Sequence, residues 1–295
     1  MIKTAIVLFV GIVSISFASI FIKFCDDVPA LMIATYRLTV ASVILVAIFK
    51  MRGHSLRHVH RDDVLLSLAG GVFLYLHFIT WITSLKYTSV ASSVVLVTTN
   101  PIFVGIFSYL ILKERQPAEL VIGIVLSFLG SALIALADSG LSGLTIAGNE
   151  ALAGDGLALA GAVMASGYLI VGSKVRERLD LVTYVTIVYT ISAVLALATS
   201  VVLGVSFVSY KPTSYIFMVL LAIVPQLIGH TSFNWALKHL KTSMIAITIL
   251  GEPVGATILA YMFFQEGPGT LQFVGIALIF AAVIVASRKG TRAQY

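Results

Sequence analysis

The chain is expected to be an all-α, polytopic integral membrane protein. Ten transmembrane helices should form two inverted five-helix repeats, with the N- and C-termini cytoplasmic. Three observations carry this expectation. First, of 295 residues 59% are hydrophobic and only 11% charged, and the mean hydropathy is +1.05. A soluble domain carries about 25% charged residues, and a soluble fold of this size needs more polar surface than the chain can supply. Second, the apolar runs are continuous over about 20 residues, the length at which a helix crosses a bilayer. A porin-like barrel would alternate apolar and polar residues instead. Third, when the spans alternate from a cytoplasmic N-terminus, the basic residues fall on one side.

Charges and turn residues cut the chain into ten segments. The first, 4–22, follows Lys3 and ends at Lys23. It is long for a signal-peptide core and has no A-x-A-like site before Asp26 and Asp27, so it reads as a retained helix. Segment 30–49 opens after Pro29 and closes on Lys50. Segment 64–85 starts after Asp62 and Asp63 and stops at Lys86. Segment 88–112 ends at Lys113, and 117–137 opens on Pro117. Segment 156–173 follows Asp155 and ends at Lys174. Segment 181–204 starts after Asp180, 214–237 starts after Pro212 and stops at Lys238, 242–264 follows Lys241, and 269–287 stops at Arg288. Short loops are all that remain, with no room for a soluble domain.

Of 19 Lys and Arg, fifteen fall inside under this alternation: Lys3, those from Lys50 to Arg61, Lys113 and Arg115, those from Lys174 to Arg178, Lys238 and Lys241, and those from Arg288 to Arg292. Lys23, Lys86 and Lys211 fall outside, and Arg37 lies within a span. The net charge of +6 is therefore read as topology and not as a nucleic-acid signal. Cys25 is the only cysteine, which excludes an intramolecular disulfide and a multi-thiolate metal site.

The chain repeats itself. Leu85-Lys86 recurs as Leu237-Lys238, Pro101 as Pro253, Tyr109 as Tyr261, Glu114 as Glu266, Gly123-Ile124 as Gly275-Ile276 and Phe128 as Phe280, all at an offset of 152. Each half thus holds five spans. Five is odd, so the halves have opposite topology, an architecture of secondary transporters. The expected division is a first repeat at 1–138, an extracytoplasmic linker at 139–153, a second repeat at 154–290 and a tail at 291–295.

With these residues in place the sequence resembles the drug/metabolite transporter superfamily, and within it the EamA family, over nearly the whole chain. The resemblance rests on the mid-helix Asn100-Pro101 and Glu252-Pro253, the following Glu114 and Glu266 loops, the Gly-containing fifth helices, Gly154-Asp155-Gly156-Leu157, and Tyr36-Arg37. It implies ten helices around a central cavity and movement of small metabolites, often outward, without naming the solute. One departure is Gly267-Pro268 after Glu266, where the first half has Arg115-Gln116.

Two charges sit deep in the spans. Arg37 lies about 12 Å from the outer boundary and Glu252 about 16 Å from the inner one at the helical rise, so in a core about 30 Å thick their depths nearly coincide. Such charges need a partner or a function. They either pair and lock two helices, or face one cavity, where Glu252 would exchange a proton or hold a solute amine. Pro101 and Pro253 should kink their helices. His77, Trp81 and Ser84 share a face of the third helix, and Gln226, His230 and Asn234 a face of the eighth; these stripes either line a path or hydrogen-bond helices together. Trp81 and Tyr75 are candidates to stack on a flat solute. Asn100 joins Glu252, Arg37, His77, Trp81, Gln226, His230 and Asn234 as the expected substrate-binding or coupling set. Ser89, Ser92, Thr99 and Thr248 form weaker polar stripes. Gly123, Ser127 and Gly130, with Gly275 and Ala282, read as close-packing faces, and an oligomer contact there would make a homodimer.

The basic loop with His54, Arg57, His58, His60 and Arg61 reads as a partner of anionic lipid. No H-E-x-x-H or P-loop pattern occurs, and no G-x-S-x-G elbow, so no metal, cofactor, catalytic residue or enzyme activity is expected. The expected function is secondary transport of amino-acid-like or other amphipathic metabolites, outward, by alternating access across a bacterial-type plasma membrane, with proton coupling at Glu252 or at a histidine. Polyphosphates would need several cations. An intramembrane enzyme or a non-transporting scaffold or sensor is the alternative.

Overall fold

The computed structural model describes residues 2–88, 90–113, 117–139, 149–264 and 270–290. They hold no strand. They form ten apolar helical segments, two of which break and one of which changes pitch. Helices α1 (Ile2–Lys23), α2 (Ala30–Met51) and α3 (Arg61–Tyr87) open the first half. The fourth segment is split into α4 (Val90–Val97) and α5 (Asn100–Ile111), and α6 (Ala118–Ser139) closes the half. The second half begins with α7 (Asn149–Arg176) and α8 (Leu181–Val202). Its third segment is α9 (Pro212–Leu221), a π-helical stretch (Ala222–His230) and α10 (Thr231–Ala236). Its fourth is split into α11 (Thr242–Ile249) and α12 (Gly251–Phe264), and α13 (Thr270–Gly290) is last. Seven of the ten are long and apolar enough to cross a membrane over the described residues, and the others are shorter apolar helices.

The two breaks have one cause. Pro101 and Pro253 lack the N–H that would bond the carbonyl four residues back. The chain tightens just before each proline, with Thr99 N donating to Leu96 O at 3.2 Å and Leu250 N to Ile247 O at 3.1 Å. The breaks fall at matching places in the two halves.

Packing follows the internal repeat. The first segment packs on the eighth as the sixth packs on the third, while α2 packs on α8 and α6 on α13, each on its own counterpart. Such pairing is what a two-fold relation between halves produces. A Cβ added at Gly130 would lie 2.6 Å from the Gly275 carbonyl oxygen, so only a residue without one lets α6 and α13 approach this closely. The small-residue faces thus meet each other within the chain.

Polar contacts at the helix ends join loops in the pattern that alternation requires. Asp63 pairs with Arg178 at 2.8 Å, and His54 faces Asp180 at 3.7 Å, joining the α2–α3 and α7–α8 connections. Asp26 pairs with Lys211 at 2.9 Å, joining the α1–α2 and α8–α9 connections. Thr88 donates to Asp155 Oδ1 at 2.7 Å.

One expectation needs correction. The sixth segment runs on to Arg176, which sequence placed in a loop. Arg176 is 3% exposed and donates from Nε to Asn234 O at 3.0 Å, so Arg37 and Glu252 are not the only charges withdrawn from water. Asp63 is likewise 3% exposed, its charge met by Arg178. Of the linker expected at 139–153, residues 149–153 belong to α7; residues 140–148, the tail at 291–295, Ser89, Glu114 and Glu266 lie outside the described residues.

Candidate functional site

A cavity of about 60 Å³ opens where the two halves meet, room for a few waters. Arg37 from α2, His77 and Trp81 from α3, and Asn100 from the α4–α5 break border it on the first half's side. Tyr168 from α7, His230 and Phe233 from the eighth segment, and Glu252 from α12 border it on the second half's side. The helix breaks bring Asn100 and Glu252 to the wall, each at or near the first turn of the helix that follows its break.

Arg37 is 1% exposed. Its Nε donates to Gln226 Oε1 at 2.8 Å, and its guanidinium carbon sits 4.0 Å from the centre of the Phe78 ring. Its Nη1 has no hydrogen-bond partner among the described residues. Glu252 and Arg37 share the cavity without an ion pair between them. The Glu252 backbone carbonyl accepts from Ser16 Oγ at 3.3 Å, tying α12 to α1.

His77 faces the Gly161 carbonyl through Nδ1 at 3.0 Å. A carbonyl only accepts, so Nδ1 carries a proton, and in the neutral ring Nε2 keeps a lone pair. Its ring is parallel to Trp81, 9° between planes and 6.0 Å between centroids. Trp81 Nε1 and Asn100 Oδ1 are buried and unpartnered among the described residues. The Asn100 carbonyl accepts from Ser166 Oγ at 3.0 Å, which links the α4–α5 break to α7.

The eighth-segment stripe divides. His230 borders the cavity and meets the Phe78 ring edge-on at 5.3 Å. Gln226 and Asn234 are buried behind the wall, Gln226 against Arg37 and Asn234 against the Tyr168 hydroxyl. The third-segment stripe also divides: Ser84 contacts Ser93 Oγ at 2.5 Å and stays out of the wall. Tyr75 does not meet Trp81. Six residues of helix put them on different faces, and Tyr75 instead bonds Thr199 Oγ1 at 2.7 Å. Thr248 donates to Met244 O at 2.8 Å.

Sequence reading missed Phe78, Tyr168 and Phe233. Each is one aromatic among many in the membrane segments and carries no signal of its own. The i, i+3 neighbourhood of Trp81 on one helix face was the clue to Phe78.

Comparisons with known proteins bear on the fold and the family. A solved crystal structure superposes with a TM-score of 0.81 over 97% of this chain and 98% of that one at 21% identity, which shows the fold. An uncharacterized transporter of Archaeoglobus fulgidus is 24% identical over 278 residues, 92% of each chain. The pseudopaline exporter CntI of Pseudomonas aeruginosa is 25% identical over 265 residues, 88% of this chain and 87% of that one. The family model described as the EamA-like transporter family matches residues 2–136 and again 152–288. With one match on each half of a ten-segment membrane fold, the chain belongs to the EamA-like transporter family.

Proposed function

We propose that this transporter exports small zwitterionic metabolites, amino-acid-like solutes with one anionic and one cationic group, by alternating access. The observation that carries the proposal is the placing of Arg37 and Glu252. They come from opposite repeats, border one cavity, and form no ion pair with each other. A charge in the membrane interior costs a few kcal/mol or more without a partner. A zwitterion supplies both partners, its carboxylate to Arg37 and its ammonium to Glu252. The unpartnered Trp81 Nε1 and Asn100 Oδ1 offer one more donor and one more acceptor. His77, Trp81 and Phe233 supply aromatic surface for the rest of the solute.

Relative motion of two inverted halves around a fixed central site is the transport cycle that this architecture supports. A relative named as an exporter supports the outward direction. Fifteen basic residues on one face support a bacterial-type inner membrane with both termini cytoplasmic. Between solutes Glu252 is free to take a proton, which would couple export to the proton gradient.

The test is flux of labelled amino acids from proteoliposomes. Export by the wild type, and its loss in both Arg37→Gln and Glu252→Gln, is the expected result. A Glu252→Gln variant that transports at the wild-type rate with unchanged pH dependence removes Glu252 from the mechanism.

A further inference from the structure

Gln226 stands outside the cavity wall and contributes no charge, yet it is fully buried against the one cation that the wall contains. Its environment is unusual. It sits in the π-helical stretch Ala222–His230, directly after Pro225, and π-helical turns are frequent at functional sites. Its backbone carbonyl accepts from Tyr189 OH at 3.3 Å, which ties it to α8. Its side-chain oxygen takes Arg37 Nε, and its own Nε2 is left without a partner among the described residues.

This contact divides the guanidinium in two. Nε is occupied, and Nη1 is buried without a hydrogen bond among the described residues. The terminal pair is a planar fork that fits the two oxygens of one carboxylate. Stacking on Phe78 fixes the plane of the fork, and Gln226 fixes its rotation within that plane. The choice of an amide matters. A carboxylate in this position would cancel the charge of Arg37 and take a second N–H in a side-on bidentate pair. An amide aims the guanidinium without adding a negative charge beside it.

We infer that Gln226 is a positioning residue that holds Arg37 ready for a solute carboxylate and makes the site select carboxylates over neutral analogues. The inference rests on the reading that Arg37 meets the anionic end of the solute. It goes further in assigning that selectivity to a residue the solute does not touch.

The experiment compares amino acids with their carboxamides, which keep the ammonium group and lose the carboxylate. KM and kcat are measured in proteoliposomes, and melting shifts in detergent, for wild type, Gln226→Glu and Gln226→Met. The wild type should bind the acid better than the amide. In Gln226→Glu the KM for the acid should rise by about ten-fold or more, the scale of one hydrogen bond to a charged group. The amide should bind as before, since Glu252 is untouched, and this retained binding reports a folded site. Gln226→Met should weaken the acid in the same direction, and it decides the matter where Gln226→Glu does not fold. A variant that keeps the wild-type preference for acid over amide overturns the role of Gln226 while leaving the reading of Arg37 intact. A wild type with no such preference overturns the reading of Arg37, and this inference with it.

Discussion

Arg37 donates to Gln226 across the two halves at 2.8 Å while its guanidinium carbon lies 4.0 Å from the Phe78 ring centre. A cation in a membrane interior is held in place here by a neutral amide and an aromatic face. Cation–π contacts contribute about 2 kcal/mol when desolvated and less when exposed. A double-mutant cycle with Arg37→Met and Phe78→Leu, read by unfolding in detergent, should give a coupling of about 0.5–2 kcal/mol. A coupling near zero would mean that the ring only fills space.

The ten segments, the inverted halves and the two breaks were legible because each leaves a periodic or chemical mark: runs of about 20 apolar residues, a 152-residue offset, and prolines at matching positions. The pairing of Arg37 with Gln226 left none. A helix face can be read from spacing, but which neighbour it meets depends on packing between segments 189 positions apart. The π-helical stretch was equally hidden, since Pro225 marks a disturbance without its form. The buried Arg176 was misread for a simpler reason. A boundary drawn three residues early put a cation outside a helix that continues through it.

The end of the molecule carrying Asp26 and Asp27 should be insensitive to pH in the physiological range. Asp27 accepts from Ser214 Oγ at 2.5 Å and from the Lys211 backbone N–H at 2.6 Å, and these bonds hold its carboxyl below the ordinary 3.8. The hydrogen bond from the Lys211 side chain does the same for Asp26. A lowered carboxylate contributes fully above its unfolded value and loses its contribution as pH falls through the native one. Lys211 is raised by Asp26, so its share persists until pH climbs through that raised value, above 10.5. Hydrogen exchange in 205–214, corrected for intrinsic rates, should therefore be flat from about pH 5 to 8. Asp27→Asn should speed it. A wild-type change within that window would show that other groups hold this end.

Cys25 reports on the same contact. It is 0% exposed, and its Sγ lies 3.6 Å from the Ser214 carbonyl. Burial first, then the charges of Asp27 and Asp26, push the thiol up to about 12. The thiolate is the reactive form, so a maleimide should label native protein at neutral pH far more slowly than denatured protein. Asp27→Asn should speed labelling by loosening α9 over the thiol. Labelling of native wild type at the rate of a free thiol would contradict the buried position.

Gly255 lies one turn beyond Glu252 and is where α12 crosses α1. A Cβ added there would sit 2.1 Å from Ser16 Oγ and 2.7 Å from Ser16 Cβ, closer than atoms can approach. Ser16 Oγ also shares its one proton between Ile12 O at 2.8 Å and the Glu252 carbonyl at 3.3 Å. Gly255→Ala must therefore push the helices apart at the level of the site, with an overpacking cost of about 1–3 kcal/mol. Transport should fall along with the melting temperature, because Glu252 moves with its helix. Ser16→Gly removes the clashing atoms and should restore the melting temperature of Gly255→Ala. It also removes the bond to the Glu252 carbonyl, so transport should recover less completely than stability. Equal recovery of both would mean that Ser16 acts only as a spacer.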